Sequence, residues 1–144
     1  MAEERLTDEL LERLLASATP EAYLSQTELP TRTLADYARQ LLAEKHLRRA
    51  DVIRASGLNT TFAYQVFQGT RKVGRDNAIM LALGMRCTLQ ETQRLLRLAG
   101  VSELWCKVRR DAIIIFCIEH KMSRAECDDE LYRLGEDTLL SPEG

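Results

Sequence analysis

Proline is scarce in this sequence. Only three prolines occur, at positions 20, 30 and 142, so residues 31–141 form a 111-residue stretch without one. A proline inside a helix removes a hydrogen bond and clashes with the preceding turn, so such a stretch is open to continuous helix formation. The same stretch is rich in Leu, Ala, Arg and Glu, which favour helices. The composition therefore predicts an all-α fold.

Long hydrophobic runs are also missing. The longest, residues 112–118, has seven residues, whereas a membrane-spanning helix needs roughly 20. The first ten residues, MAEERLTDEL, are acidic and lack the apolar segment of a secretory signal. We therefore expect no membrane association and a cytoplasmic protein.

Clusters of metal-ligating or catalytic residues are absent too. No two cysteines have the C-x-x-C spacing of a zinc site, and neither histidine completes a ligand set. No nucleophile–base pair and no glycine-rich phosphate loop is visible. We therefore expect no metal, no cofactor and no enzymatic activity. The residues considered are Cys87, Cys106, Cys117, Cys127, His46 and His120.

The net charge of −2 conceals a segregation of charge along the chain. Residues 1–30 carry seven acids and two bases, residues 31–76 nine bases and four acids, and residues 77–144 nine bases and eleven acids. A polyanionic partner would therefore meet the basic middle. We predict an acidic helical arm over 1–30, which could hold a protein partner, then a domain over 31–100. A helical extension over 101–144 would pack on that domain or form a dimer seam.

Apolar spacing and capping residues predict the helices. In the arm, leucines at helical spacing predict one helix with Thr7 as its N-cap, and Thr19 caps a second turn that begins at Pro20. Residues 25–31 are the best linker candidate. Seven further helices are predicted at about 33–45, 49–55, 60–68, 75–83, 88–99, 108–119 and 123–134, the last opened by a capping box from Ser123 to Glu126.

Glycines and one weak internal repeat mark the helix ends. Five glycines follow predicted helices, where a left-handed C-cap is wanted: Gly57, Gly69, Gly84, Gly100 and Gly135. Residues 44–51 (EKHLRRAD) faintly resemble residues 119–126 (EHKMSRAE). We interpret this echo as a repeated corner between helices, because the second copy lacks a glycine turn and a basic helix after it.

The segment 47–69, LRRADVIRASGLNTTFAYQVFQG, holds two short predicted helices joined at a glycine. It has apolar residues at 47, 52, 58, 63 and 66, glycines at 57 and 69, and a polar cap at 59. In this pattern it resembles the phage-repressor helix-turn-helix family, also called Cro-type, lambda-repressor-like or xenobiotic-response-element proteins. The resemblance covers about residues 33–99. It implies a lambda-repressor-like helical bundle, here extended by C-terminal helices.

Two departures from the family pattern are informative. The family usually has Gln where this chain has Arg49, and either residue can meet a phosphate. The family commonly buries an Arg–Glu pair at the positions of Leu42 and Phe67. Replacing both charges by apolar residues avoids a buried unpaired charge, so the double change is consistent with the alignment.

The resemblance implies a sequence-specific DNA-binding transcriptional regulator of a bacterium or phage, with the helix at about 60–68 in the major groove. The expected partner is double-stranded DNA. The base-reading residues carried over are Thr60, Thr61 and Gln65, with Tyr64 beside them. The phosphate-binding residues carried over are Arg49, Asn59, Gln68, Arg71, Lys72 and Arg75.

Two alternatives remain open from the sequence. The run 113–116 is apolar on nearly every side, so it belongs either to the core or to a homodimer seam formed by Ile113, Ile114, Ile115 and Phe116. The outward aromatic residues of the 60–68 helix, Tyr64 and with it Phe62, also suit a protein contact. The alternative function is therefore a protein–protein adaptor that keeps the scaffold without binding DNA.

Overall fold

The computed structural model describes residues 2–26 and 33–141. Within these ranges the chain forms nine α-helices and no β-strand, which confirms the all-α class. No helix in the described ranges is both long and apolar enough to cross a bilayer. The helices are α1 (Ala2–Ala16), α2 (Pro20–Gln26), α3 (Leu34–Glu44), α4 (Arg49–Ser56), α5 (Thr60–Gln68), α6 (Arg75–Gly84), α7 (Leu89–Leu98), α8 (Arg109–Glu119) and α9 (Arg124–Arg133).

The chain divides into two compact units, Met1–Thr31 and Arg32–Gly144. In the first unit, α1 begins at Ala2, so the N-cap predicted at Thr7 is wrong. The stretch before Thr7 is itself made of good helix formers, so the helix continues through it. The cap predicted at Thr19 is confirmed, because its hydroxyl accepts a hydrogen bond from the amide of Ala22 at 3.1 Å. Most of the predicted linker, residues 25–31, lies outside the described ranges.

Three helices of the second unit begin with a capping box. In this arrangement the N-cap hydroxyl and an acid three residues later each accept a hydrogen bond from the other's backbone amide. The predicted box at Ser123 and Glu126 is confirmed, with N···O distances of 3.1 and 2.9 Å. The other two boxes pair Thr33 with Asp36 at α3 and Thr88 with Glu91 at α7.

Four of the five predicted glycine caps are confirmed, and one is wrong. Gly57, Gly69, Gly100 and Gly135 have φ between 75° and 85°. Gly84 is instead the last residue of α6. A Cβ at Gly84 would lie 2.9 Å from the carbonyl oxygen of Val52 and 3.0 Å from the amide nitrogen of Ser56. Glycine at this position therefore permits the close approach of α6 to α4.

Three corners between helices share one backbone geometry, with a non-glycine residue in the left-handed region. These residues are His46, Arg86 and Lys121, with φ of 56°, 55° and 54°. In each corner the next amide donates to a carbonyl five residues back, at 2.9–3.0 Å. This confirms the repeated corner geometry predicted at 44–51 and 119–126. The sequence comparison did not include the corner at Arg86, where residues 86–91 (RCTLQE) share with the other two corners only an apolar second residue, an N-cap position and a final acid.

One apolar core collects side chains from every helix from α3 to α9. Leu42 and Phe67 are both buried in it, so apolar side chains occupy the two positions where the resembled family commonly buries an ion pair. From α8, Ile114, Cys117 and Ile118 enter the same core. The apolar run of α8 is therefore mainly core, the first of the two alternatives left open by the sequence.

Candidate nucleic-acid interface

The corner between α4 and α5 presents one helix on a three-residue turn. Gly57 adopts a left-handed conformation and ends α4. Asn59 then caps α5, its side-chain oxygen accepting a hydrogen bond from the amide of Phe62 at 3.1 Å. Leu58, between them, packs against the core. The turn thus fixes the direction in which α5 leaves α4.

The helix α5 has one inner and one outer face. Its inner face is formed by Ala63, Val66 and Phe67, none of them more than 1% exposed. The outer face carries the four residues predicted to read bases. Thr60, Thr61 and Tyr64 are exposed and Gln65 is half-buried. The predicted site residues of α5 therefore share a single surface, which also includes the exposed Gln68.

Two arginines from outside α5 lie against its aromatic residues. The guanidinium of Arg49, in the first turn of α4, is 6.0 Å from the ring centre of Tyr64. The guanidinium of Arg71, in the loop after α5, is 5.3 Å from the ring centre of Phe62. Cation–π contacts of this length hold a charge near a ring without neutralising it. Two of the three predicted phosphate-binding arginines therefore lie beside aromatic residues of α5.

Phe62 itself is less exposed than the sequence suggests. It packs half-buried against the core rather than projecting outward. Arg71 covers its ring and also donates to the side-chain oxygen of Gln65 at 3.4 Å. Tyr64, 36% exposed, is thus the main outward aromatic residue of α5.

The positive charge of the basic segment is partly neutralised inside the chain. Arg39 pairs with Asp36, Lys45 with Glu91, and Arg54 with Asp51. No acid occurs between positions 51 and 76, however, and this acid-free segment contains all of α5. Among the described residues of the basic segment 31–76, the cations outside these ion pairs and the one formed by Arg75 are Arg48, Arg49, Arg71 and Lys72.

Arg75 has a role that the sequence analysis missed. Its guanidinium donates to both carboxylate oxygens of Asp111, at 3.0 and 2.7 Å, and to the carbonyls of Ser102 and Glu103 at 3.0 Å. Four of its five N–H groups are therefore occupied within the chain. Arg75 fastens α6 to α8, and we do not retain it as a phosphate-binding residue.

A second ion pair mirrors the first between the same two helices. Arg110 of α8 donates to both oxygens of Asp76 of α6, at 2.9 and 3.1 Å. We call these two reciprocal pairs, Arg75–Asp111 and Arg110–Asp76, the α6–α8 clasp. The signal in the sequence is an Arg-Asp dipeptide that occurs in the first turn of each helix. The clasp joins the predicted C-terminal extension to the helix that follows the α5 loop.

The clasp sets the ionisation of its buried acid. Burial alone would raise the pKa of Asp111, which is 3% exposed. Hydrogen bonds from Arg75 and from the amide of Trp105, with the charges of Arg75 and Arg110, outweigh burial and hold the pKa below its ordinary value. Asp111 therefore stays ionised at neutral pH.

The four residues predicted as a dimer seam differ in burial and do not form one exposed surface. Ile114 is completely buried within the chain, so it is not available to a second copy. Ile113 and Ile115 are half-buried against the core. Phe116 is 54% exposed and stacks on His120, with ring centres 3.9 Å apart. Phe116 is therefore the part of the predicted seam that reaches the surface.

The cysteines are mostly core residues. Cys87, Cys117 and Cys127 are buried, and Cys106 is exposed. Burial raises the pKa of Cys87 to about 12 and also raises the pKa of Cys117 and of Cys127. These three thiols are therefore protonated at neutral pH and pack as small apolar groups. Among the described residues, no group of three or more His, Cys, Asp or Glu side chains is placed to hold a metal ion.

No family model, no curated protein and no solved structure matches the chain. The case for a function therefore depends on the residues described above, chiefly the outer face of α5 and the cations beside it.

Proposed function

We propose that the protein is a sequence-specific DNA-binding transcriptional regulator of the Cro-type helix-turn-helix class, which reads the major groove with α5. The observation that carries this proposal is the outer face of α5. It places hydrogen-bonding side chains and one aromatic ring on one surface, with two arginines beside it. The major groove admits an α-helix and distinguishes every base pair.

The residues of this face suit base-edge contacts. The side-chain amide of Gln65 is able to form two hydrogen bonds with the major-groove edge of one adenine. Thr60 and Thr61 offer a hydroxyl for hydrogen bonds and a methyl for the thymine methyl group. The ring of Tyr64 lies beside them and suits an apolar contact. None of these side chains is charged, so they would add specificity more than affinity.

Affinity would come from the flanking donors. Arg49, Arg71 and Lys72 lie outside α5, and a phosphate contact from each would release a counterion. Gln68 extends the same face at the end of α5. Asn59 uses its oxygen to cap α5, which leaves its amide nitrogen to donate. With Arg75 withdrawn, three cations remain, so we expect moderate affinity from a single copy.

Pairing of two copies would compensate for this. One small DNA-binding head buries only about 600–1,000 Å² of surface on DNA. Two copies on half-sites about one helical turn apart would double the contacts. The exposed Phe116 on α8 is the surface that we assign to such a homodimer.

The test is selection from a pool of random duplexes by the purified full-length chain at physiological salt. We expect a short sequence to be enriched, and the same selection with Thr61→Ala and Gln65→Ala to give a degenerate or altered sequence. An Asp129→Ala variant on the exposed side of α9 is the matched control and should enrich the wild-type sequence. Recovery of random sequences by the wild-type protein would reject the proposal.

The alternative is a protein–protein adaptor, and the exposed ring of Tyr64 favours it. Under this alternative, Tyr64→Ala abolishes retention of a protein partner, whereas DNA binding is weak and indifferent to sequence. The two functions therefore differ in outcome. An enriched duplex supports the regulator, and a Tyr64-dependent protein partner without an enriched duplex supports the adaptor.

A further inference from the structure

A pocket lies between two of the three helix corners. It is lined by residues of the α6–α7 corner and of the α8–α9 corner, and its volume is about 370 Å³. Pockets that hold small molecules span roughly 300–1,000 Å³, so this one has the size for a compact ligand. It lies apart from the proposed DNA-binding residues, none of which line it.

The floor of the pocket is apolar. It is formed by Leu83, Ile118 and Met122, and the first two are only 6% and 5% exposed. Cys87 also lines it, and the raised pKa of this thiol, about 12, keeps it neutral. Such a floor offers water few hydrogen bonds and favours the hydrocarbon part of a ligand.

The remainder of the lining is polar and consists of Thr88 and three charged residues. Arg86 and Lys121 contribute two cations, and Glu119 contributes one acid. Among the described residues, neither cation forms an ion pair. The two cations are the left-handed residues of their corners, and both line the same pocket. His46 has this geometry too and does not line the pocket, which makes it a natural control.

From these features we propose that the pocket binds a small amphiphile with one anionic head group and a compact hydrocarbon body. The head group would lie between Arg86 and Lys121, and the hydrocarbon would cover Leu83, Ile118 and Met122. Charge-assisted hydrogen bonds from an arginine to a carboxylate are roughly twice as strong as neutral ones, so the head group sets the selectivity. The proposal does not depend on DNA binding, because the pocket and its test do not involve α5.

The test uses three probes of equal chain length that differ only in the head group: octanoate, 1-octanol and octylammonium. Each is titrated into the ¹⁵N-labelled full-length chain without DNA, and amide shifts are followed. We expect octanoate to give saturable shifts at residues 83–88 and 118–122. We expect its affinity to exceed that of octylammonium by at least about ten-fold, with 1-octanol between them.

Charge variants on the exposed rim provide the decisive pattern. Arg86→Gln and Lys121→Gln should each weaken octanoate binding several-fold, whereas Glu119→Gln should tighten it. The matched control His46→Gln should leave it unchanged. The proposal is overturned if octanoate gives no saturable shift, if the three probes bind equally, or if the rim variants do not change the affinity for octanoate.

Discussion

Three residues at helix corners have a backbone conformation that is unusual for their residue type. His46, Arg86 and Lys121 occupy backbone conformations that glycine adopts more easily. Each follows a helix C-terminus, where the positive charges of Arg86 and Lys121 interact favourably with the helix dipole. Non-glycine residues therefore occupy these corners at a modest conformational cost.

His46→Gly should stabilise the protein. Relief of the left-handed strain is worth roughly 1–2 kcal/mol, and the greater freedom of glycine in the unfolded chain offsets part of it. We expect a net gain of about 0.5–1 kcal/mol in the free energy of unfolding, measured by urea titration. Trp105, the only tryptophan, reports on this unit by fluorescence. His46→Ala keeps the strain, so an equal gain in that variant would contradict the explanation.

At the scale of helices, packing depends on the missing side chain at Gly84 and on the α6–α8 clasp. Gly84 allows α6 to approach α4, and the clasp fastens α8 to α6. Together these contacts hold two parts of the chain in one unit: the loop that carries Arg71, and the C-terminal extension. The contacts of the clasp are long-range, because the paired residues are 36 and 34 positions apart in the sequence.

Gly84→Ala should destabilise the protein, although alanine is the better helix former by about 1 kcal/mol. The new methyl would meet the backbone of α4, which cannot move aside, and overpacking of this kind costs typically about 1–3 kcal/mol. Ala43→Gly on the exposed side of α3 is the matched control and should lose about 0.5–1 kcal/mol. A Gly84→Ala variant that unfolds at higher urea than wild type would disprove the close approach.

Asp111→Asn should destabilise the protein in a pH-dependent way. Because the pKa of Asp111 is lowered on folding, its stabilising contribution is present above the unfolded value of 3.8 and is lost as the pH falls through the folded value. At pH 7 the variant should lose about 2 kcal/mol, as for a hydrogen bond to a charged group.

As the pH falls through the folded pKa of Asp111, which lies below 3.8, the stabilities of wild type and Asp111→Asn should converge. Asp76→Asn removes the more exposed carboxylate of the clasp, so we expect a loss below about 1 kcal/mol. Urea titrations at pH 7, 5 and 3 measure both variants. A constant difference between Asp111→Asn and wild type at every pH would exclude the ionised clasp as its cause.

Local sequence patterns predicted the helices of the second unit well, because helix caps and apolar stripes depend on residues close together in the sequence. The capping box at Ser123 and the left-handed glycines depend only on neighbouring residues. The α6–α8 clasp could not be predicted from local patterns. A basic residue looks the same in sequence whether it faces solvent or an acid 36 positions away, as Arg75 does.

The same limit applies to the candidate site. The outer face of α5 followed from helical periodicity, as the burial of Ala63, Val66 and Phe67 confirms. The periodicity of α8 was less informative, because nearly all its positions are apolar. Only the packing of α8 in the folded chain, chiefly against α9, separates the buried Ile114 from the exposed Phe116.

At the scale of the whole molecule, we expect two copies of the proposed regulator to pair through Phe116. We expect light scattering at tens of micromolar to give the mass of a dimer for wild type and of a monomer for Phe116→Glu. Tyr132→Glu changes another exposed aromatic residue, on α9, and should remain dimeric. A monomeric wild-type protein, or dimers of equal strength in both variants, would exclude this surface as the seam.

The central claim is that α5 reads DNA, and the affinity of the selected duplex as a function of sequence and salt tests it most directly. Fluorescence anisotropy would compare wild type, Gln65→Ala and Arg71→Ala on the selected duplex and on its single-base variants. Gln65→Ala should lose about 1–3 kcal/mol of discrimination at one base pair only and keep the salt dependence. Arg71→Ala should weaken all duplexes alike and reduce the slope of log affinity against log salt by about one unit. If both variants keep the base preferences and the salt slope of the wild type, α5 does not lie in the major groove and the account is wrong.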